Sequence, residues 1–465
     1  MSLPLFNRKQ QKKPPLVKET EKEMKEKIET LKAGRLASLS ISLADKLISL
    51  YGPRISGSEN ARETASALEK ELKGFCDTTE YKEFTLYNQA YTLWLKVLVV
   101  VYPFALALLW LGLPVMSLSV LLLFLWYVAR GFIYFKPVGE KYTPKGRGAN
   151  VHGVLEPKKE VLHTVIFSGH HDSARLYKYN SLDKLMYAKK VLVPLLLFVF
   201  LCIACLTQLF TELFTGKLFS FNLPPIPCII LNSALTFCFP FVLPLWGFVT
   251  SEGSPGAGDN LVSSCMGVEL ARFFDWRKRC GNTLEHTRLV FASFDGEEVG
   301  LKGSKQWFSE HKDLCNQAIQ LNFDCPYYAD EITFLDRDIN GTQPLSTRLA
   351  SRCVQIAKSM GYDASRESIP FLAGGTDAAE GSRSGIEACT LTAMAWDDVS
   401  KPAVYHTKDD VCSAIELKAI EQALSIAIRL VELVDAGTLY EKNNDSGPEE
   451  EEIIPELHFE RLSKR

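Results

Sequence analysis

Hydrophobic and polar residues are spread very unevenly along this chain. Four stretches are almost wholly apolar: residues 97–113 and 115–135, split by Gly112 and Pro114, then residues 191–210 and 226–249. Each is close to the length that crosses ~30 Å of hydrocarbon as a helix. Trp94, Trp110, Trp126 and Tyr127 lie near the ends of the first pair, where amphipathic rings favour a membrane interface, and Arg130 sits where its charge can reach water. Pro240 and Pro244 interrupt the fourth run and predict a kink. The pattern predicts two transmembrane helical hairpins, at residues 91–137 and 191–250. Buried helices of a dimer interface are the competing reading, which has to explain four such runs arranged as two pairs.

Outside these blocks the pattern becomes that of a covered sheet. Residues 161–168, 289–294 and 319–323 are short apolar runs of the kind buried strands carry, and residues 79–86 predict a further strand. Helical periodicity marks residues 61–73, 261–274, 347–360 and 415–434. Strands alternating with helices predict a three-layer α/β domain, assembled from residues 35–90, 138–190 and 251–440. Ligands then belong at the C-terminal ends of the strands. Residues 1–34 form a charged N-terminal segment in which Glu and Lys alternate from 18 to 32, predicting a solvated helix. Docking of its basic tip (Arg8, Lys9, Lys12, Lys13) on anionic lipid is the alternative. Residues 441–465, with Glu449 to Glu452, predict an acidic, disordered tail.

Composition adds exclusions. With a net charge of −3 over 465 residues, no basic excess points to nucleic acid. The twelve cysteines form no tight framework. Cys202 and Cys205 make a C-x-x-C inside an apolar run that lacks basic or metal-ligating neighbours, so they read as buried small side chains rather than a redox pair. Hairpins return the chain to the side it left. Lys82, Lys136, Lys141, Lys145, Arg147, Lys178, Lys184, Lys189 and Lys190 flank them on that side, whereas the far turns carry only Glu212 and Lys217. By the positive-inside rule, the α/β domain and both termini face the cytoplasm.

The chemistry-bearing residues follow the predicted strands. One strand runs into Gly169-His170-His171-Asp172-Ser173, another into Asp295-Gly296-Glu297-Glu298, and a third delivers Asp324. Gly256-Ala257-Gly258-Asp259-Asn260 opens a helix, and Tyr405-His406 leads to Asp409-Asp410. Singly, an acidic pair is a solvated loop and a lone histidine a structural residue. Together, two histidines and three carboxylates converging from strand ends form a ligand set that zinc accepts. Five ligands exceed one tetrahedral ion and suit two ions ~3.5–4 Å apart that share a carboxylate.

The order of these segments resembles the di-zinc exopeptidases related to bacterial leucyl aminopeptidase and aminopeptidase Y, peptidase family M twenty-eight. The resemblance starts at Gly52-Pro53-Arg54-Ile55-Ser56-Gly57-Ser58, continues through Gly300-Leu301-Lys302-Gly303-Ser304, and includes Gly375-Thr376-Asp377 and Ser384-Gly385-Ile386. It implies a zinc-exopeptidase-like domain with a mixed, largely parallel sheet, here interrupted by the hairpins. It further implies two zinc ions bridged by Asp259, with His170 and Asp324 completing one site and Glu298 and His406 the other. Glu297 would be the general base, Asp172 would orient His170, and Asp377 and Tyr405 would belong to the substrate pocket. Ala378 stands where the family often has histidine, and Glu387 where proline is common; both are expected in the pocket wall. The expected activity is a membrane-anchored zinc aminopeptidase acting on peptides. A single-zinc enzyme of the glutaminyl-cyclase type, a carboxypeptidase and a non-catalytic scaffold are the alternatives.

Overall fold

In the computed structural model the described residues are 33–178, 184–216, 221, 223–396 and 400–441. The charged segment 18–32 and the tail from residue 442 onward lie outside them.

The centre of the molecule is a sheet whose middle four strands run parallel. β3 (His163–His170) lies between β6 (Thr287–Phe294) and β7 (Ala318–Pro326), and β7 is flanked in turn by β11 (Glu387–Ala393). Beyond β6, β2 (Gly146–Leu155) and β1 (Thr78–Leu86) extend the sheet antiparallel. Beyond β11 come β8 (Thr333–Asp338), antiparallel, and β10 (Ser365–Ser368), with the short β9 (Gln343–Pro344) paired to β8.

Successive side chains on a strand face opposite sides, and here both sides are covered. Val165, Phe167, Leu289, Phe291, Leu321 and Phe323 join a core with α1 (Ala33–Tyr51), α2 (Glu59–Leu72), α7 (Val262–Arg279), α9 (Thr347–Ser359) and α11 (Leu417–Asp435). The alternate residues Ile166, Val290 and Ala292 pack instead with Trp307 and Phe308 of α8 (Lys302–Glu310). The domain is therefore a three-layer α/β structure around a mixed sheet.

The apolar runs form a separate bundle. Its helices are α3 (Leu93–Trp110), α4 (Pro114–Val128), α5 (Lys184–Thr215) and α6 (Ile226–Cys238), and they share a core of their own through Leu98, Tyr102, Phe124, Phe198, Leu201 and Leu235. Four helical stretches are long and apolar enough to cross a membrane: Leu93–Trp110, Pro114–Ile133, Lys189–Thr215 and Ile226–Gly247. The proline pair does more than kink the last one. The α-helix ends at Cys238, and 3-10 turns at Phe239–Phe241 and Leu243–Gly247 complete the stretch. Proline removes the N–H that an i−4 carbonyl needs, so two of them four residues apart leave little α-helix to propagate.

Both hairpins are fastened to the sheet domain. Asn340 donates its amide to the carbonyls of Phe132 and Ile133 (3.1 and 3.2 Å), and just past the first hairpin Glu140 pairs with Lys302 at 2.6 Å. The second hairpin leaves and re-enters through a two-stranded ribbon, β4 (Arg175–Tyr177) with β5 (Val249–Gly253). This ribbon places the hairpin between Asp172 and Asp259 in the chain.

Candidate metal centre

The sheet register brings three acidic or imidazole-bearing segments to one edge. His170 is aligned with Phe294 of β6, and Ser168 with Asn322 of β7. His170, the Glu297–Glu298 pair just beyond β6 and Asp324 in β7 therefore emerge side by side. This is the C-terminal edge of the parallel strands, where α/β sheets offer their ligand sites.

Asp259 reaches this edge from a tightly built loop. Gly256 takes φ +61°, a left-handed conformation that suits glycine. Gly258 lies against Tyr327 so closely that a Cβ there would sit 2.1 Å from the ring. The Asp410 carboxylate accepts the N–H groups of Gly258 (2.8 Å) and Asp259 (3.2 Å), and its carbonyl accepts that of Ala257 (3.2 Å). Asn260 donates to the carbonyl of Phe323 at 2.8 Å, fastening the loop to β7 beside Asp324.

Around this frame the donor atoms converge. Asp259 presents one oxygen to each histidine: Oδ1 lies 3.3 Å from His170 Nε2, and Oδ2 lies 3.0 Å from His406 Nε2. His406 Nε2 is also 3.3 Å from Glu298 Oε2, and His170 Nε2 is 3.7 Å from Glu297 Oε2. Two groups whose donor atoms all lie within 4.8 Å of one another, His170–Asp259–Asp324 and Asp259–Glu298–His406, share Asp259; His170–Glu297–Glu298 is a third. On its other nitrogen, His170 Nδ1 faces both the Asp172 carbonyl (3.2 Å) and its carboxylate (3.4 Å). That carboxylate is busy elsewhere as well. It accepts the Ser56 hydroxyl (2.6 Å) and the N–H groups of Glu297 and Glu298 (3.3 Å each), so Asp172 ties the histidine to the glutamate pair.

The electrostatics show what kind of group the cluster suits. Burial raises Glu298 to about 7 and Asp324 to about 8, with the nearby Asp259 adding repulsion to both. Glu297 is driven well above the carboxylate range by burial; His170 opposes this, while Glu298 and Asp324 reinforce it. Burial alone would lower His170 and His406. Instead Glu297 raises the first and Glu298 the second, each aided by a hydrogen bond with Asp259. Burial opposes ionisation of Asp259 too, yet its bonds to His170 and His406 hold it below the ordinary range. Among the described residues, only these histidines come within ion-pair distance of Asp259, Glu297, Glu298 or Asp324. Glu298 Oε1 is buried with no hydrogen-bond partner. Several buried carboxylates with so little positive charge are stable when a cation joins them. The donor set of imidazole and carboxylate fits zinc.

Asp377 and Tyr405 border the cluster. Asp377 is fully buried and raised to about 7 by burial, with His170 and a Ser304 hydrogen bond opposing and Asp172 and Asp338 adding to the rise. The Tyr405 ring stacks on His406, centroids 3.8 Å apart. The two expected departures in a pocket wall fall elsewhere. Ala378 is fully buried in a small core with Leu335, Leu345, Ile369 and Ala388. Glu387 begins β11 opposite Ile319, at the far end of the sheet from Asp324, and accepts hydrogen bonds from Ser346 and Tyr440. Both substitutions adjust packing and a strand start rather than a pocket.

Three residues that build the site lie in the motifs read from the sequence but are given no role there. Arg54 is fully buried, donating to the carbonyls of His171 (2.7 Å), Pro255 (2.9 Å) and Gly256 (2.7 Å), so one guanidinium clamps the β3 end to the Asp259 loop. Asp295 accepts the N–H groups of Gly57 and Ala149, and Asp410 supports Asp259. The available signal was a charged residue within a Gly- and Pro-rich turn (Arg54) or beside the glutamate pair (Asp295).

No curated protein matches the chain. Its fold is similar to that of a zinc aminopeptidase from Bacillus subtilis (13% identity, 84% of this chain and 94% of that one, TM-score 0.47). It is similar at the same level to a Zn-dependent exopeptidase from Parabacteroides distasonis (13% identity, 85% and 97%, TM-score 0.47) and to a glutaminyl cyclase from Fimbriiglobus ruber (11% identity, 85% and 95%, TM-score 0.48). Residues 246–431, the segment that holds Asp259, Glu297, Glu298, Asp324, Asp377 and His406, match the model of peptidase family M28.

Proposed function

We propose that this protein is a membrane-anchored zinc aminopeptidase that hydrolyses the N-terminal bond of peptides. The observation that carries the reading is Asp259, whose two carboxylate oxygens face two different histidines in two donor groups. A carboxylate shared in this way suits a pair of zinc ions, with His170 and Asp324 holding one and Glu298 and His406 the other. When bound, zinc would polarise the scissile carbonyl and make water a stronger acid.

The protein's own groups do the rest. Glu297 lies beside the donors with a buried carboxylate, its Oε2 3.7 Å from His170 Nε2, placed to take the proton of the attacking water and deliver it to the departing amine. Asp172 sets the His170 ring through Nδ1 and fixes the backbone from which Glu297 projects. The stacked Tyr405 ring restricts His406. The four apolar stretches support membrane anchoring, and the lysines flanking both hairpins support a cytoplasmic catalytic domain.

Profiling purified full-length protein on peptides blocked at either end tests this reading. Cleavage should vanish on N-acetylation, survive C-amidation, and be absent in Glu297→Ala, with two zinc ions bound per chain. Loss on C-amidation would make it a carboxypeptidase. One zinc per chain with cyclisation of N-terminal glutamine would make it a glutaminyl cyclase.

A further inference from the structure

At the level where both hairpins join the sheet domain, a cleft of about 220 Å³ opens between the start of α3, the ribbon strands β4 and β5, and the last turn of the second hairpin. Its lining is divided. Leu93 and Leu245 supply an apolar part, and Trp246, 54% exposed, stands at its mouth. Lys96 and Arg175 bring positive charge from two different elements, with the hydroxyls of Thr92 and Thr250 nearby.

Among the described residues no carboxylate lies within 4.0 Å of Lys96 or Arg175, although most other basic side chains of the domain that are partly buried have such a partner (Arg277, Lys278, Arg288, Lys302). Arg175 is half-buried and makes one hydrogen bond, from Nη1 to the Thr250 carbonyl at 3.3 Å. A guanidinium has five N–H donors, so Arg175, which lines the cleft, has capacity for a further acceptor there. Burying a cation without a partner is costly, and a phosphate is the anion whose geometry a guanidinium fork and an ammonium together satisfy.

We propose that this cleft binds the headgroup of an anionic phospholipid from the leaflet facing the catalytic domain. The inference rests on the membrane reading above. A free phosphate would meet Lys96 and Arg175 but leave the half-buried Leu93 and the exposed Trp246 ring in water, whereas a lipid covers both with its acyl chains and sets its glycerol level at Trp246. The bound headgroup would link the first hairpin, through Lys96, to β4, through Arg175. That strand begins three residues after Asp172, and its Tyr177 ring packs 6.0 Å from that of His406. Lipid occupancy would thus stiffen the neck on which the metal centre hangs.

The test uses full-length protein reconstituted in vesicles of phosphatidylcholine with and without phosphatidylglycerol, then extracted for native mass spectrometry. One phosphatidylglycerol per chain should be retained and phosphatidylcholine should not. A Lys96→Gln, Arg175→Gln double variant should lose retention about thirtyfold, the scale of two basic contacts at a membrane surface. A Lys136→Gln, Lys141→Gln variant, with the same charge change on the same side, should retain lipid like the wild type. Lys96→Arg with Arg175→Lys should also retain it, which separates loss of charge from loss of folding. Equal retention in the Gln double variant, equal loss in the Lys136/Lys141 control, or an equal rise in Tm with inorganic phosphate alone overturns the proposal. Release of the protein from vesicles by carbonate would instead sink the membrane reading. Stable insertion without phosphatidylglycerol preference sinks only the lipid site.

Discussion

In the sheet domain the rings of Phe167, Phe291 and Phe323 stack in the interior, with neighbouring centroids 6.0 and 5.9 Å apart, and polar groups gather at the strand ends. In the bundle, side chains of the same kind face outward: Leu123 is 64% exposed, Phe200 51% and Phe237 82%. There the buried positions include the polar ones. Gln208 donates to the Leu109 carbonyl (2.9 Å) and to Glu212 (2.7 Å), and Asn232 donates to Gln208 (3.1 Å). A water-facing domain hides apolar area because water rejects it. A lipid-facing bundle gains nothing by hiding it, and uses small or polar contacts between helices instead. With the bundle anchored in a membrane as proposed above, one chain is written for two solvents, with the candidate metal centre at their boundary on the aqueous side.

The largest effect expected is at that boundary. Glu297→Ala should lower kcat/KM by about 10²–10⁴, the usual contribution of a general base, while Tm stays put. Turnover on an unblocked peptide and a melting curve together check it; a fall in Tm that tracks the lost activity would mean the residue is structural. Next comes the interior of the sheet domain, where Phe167→Ala should cost ~3–5 kcal/mol in a denaturant titration. Phe200→Ala on the outside of the bundle should cost little. Equal losses would end the two-solvent account.

Arginine scanning sharpens the same comparison at a smaller scale. Phe200→Arg puts a charge at mid-span and should disfavour insertion by ~2.5–3.5 kcal/mol. Leu162→Arg, at a site 45% exposed in the sheet domain, should change stability by no more than about 0.5 kcal/mol. The fraction of chain inserted into vesicles, against the urea midpoint, measures each. If Phe200→Arg inserts as well as wild type, that face of the bundle does not meet lipid.

How much of this was legible in the sequence depended on how far each segment's apolar pattern was its own. The strands β3, β6 and β7 are buried on both faces and were visible as short apolar runs; the helices α2, α7, α9 and α11 showed by their period. β2 was not. It is buried almost throughout but reads GRGANVHGVL, because Gly148 leaves room for Phe84 and Gly153 for Cys76, and Asn150 and His152 find partners on α8. The strands β8, β10 and β11 are polar or short and gain their place only by pairing. The residues now gathered at the metal centre were each visible, since histidines and acids after strands are distinctive. The groups that position them, Arg54 above all, act through backbone carbonyls 117 to 202 residues away, a relation no local pattern encodes.

A last comparison separates a second histidine cluster from the first. Glu80, His152 and His311 are close enough to suggest a metal. However, the Trp307 indole N–H donates to His152 Nδ1 at 3.2 Å, which takes that lone pair and leaves the proton of the neutral ring on Nε2. Neither nitrogen is then free to bind a metal, so the cluster is part of the packing between β2 and α8. Burial and the neighbouring His311 depress His152 to about 4, against smaller opposing effects of Glu80 and Asp313. A histidine held neutral in the fold binds fewer protons than in the unfolded chain between its folded pKa and its ordinary one. Its contribution is therefore complete above about pH 6.5 and is lost as the pH falls toward 4, by up to about 3 kcal/mol at ~1.4 kcal/mol per pH unit. Other groups titrate in the same window, so the informative quantity is the difference between wild type and His152→Gln in urea midpoints from pH 7 to 4.5. The variant should be less stable at pH 7 and show a shallower acid limb, with no response to added zinc in that limb. Parallel acid limbs would show that His152 is not held neutral, and a zinc-dependent rise confined to the wild type would show that the cluster binds metal after all.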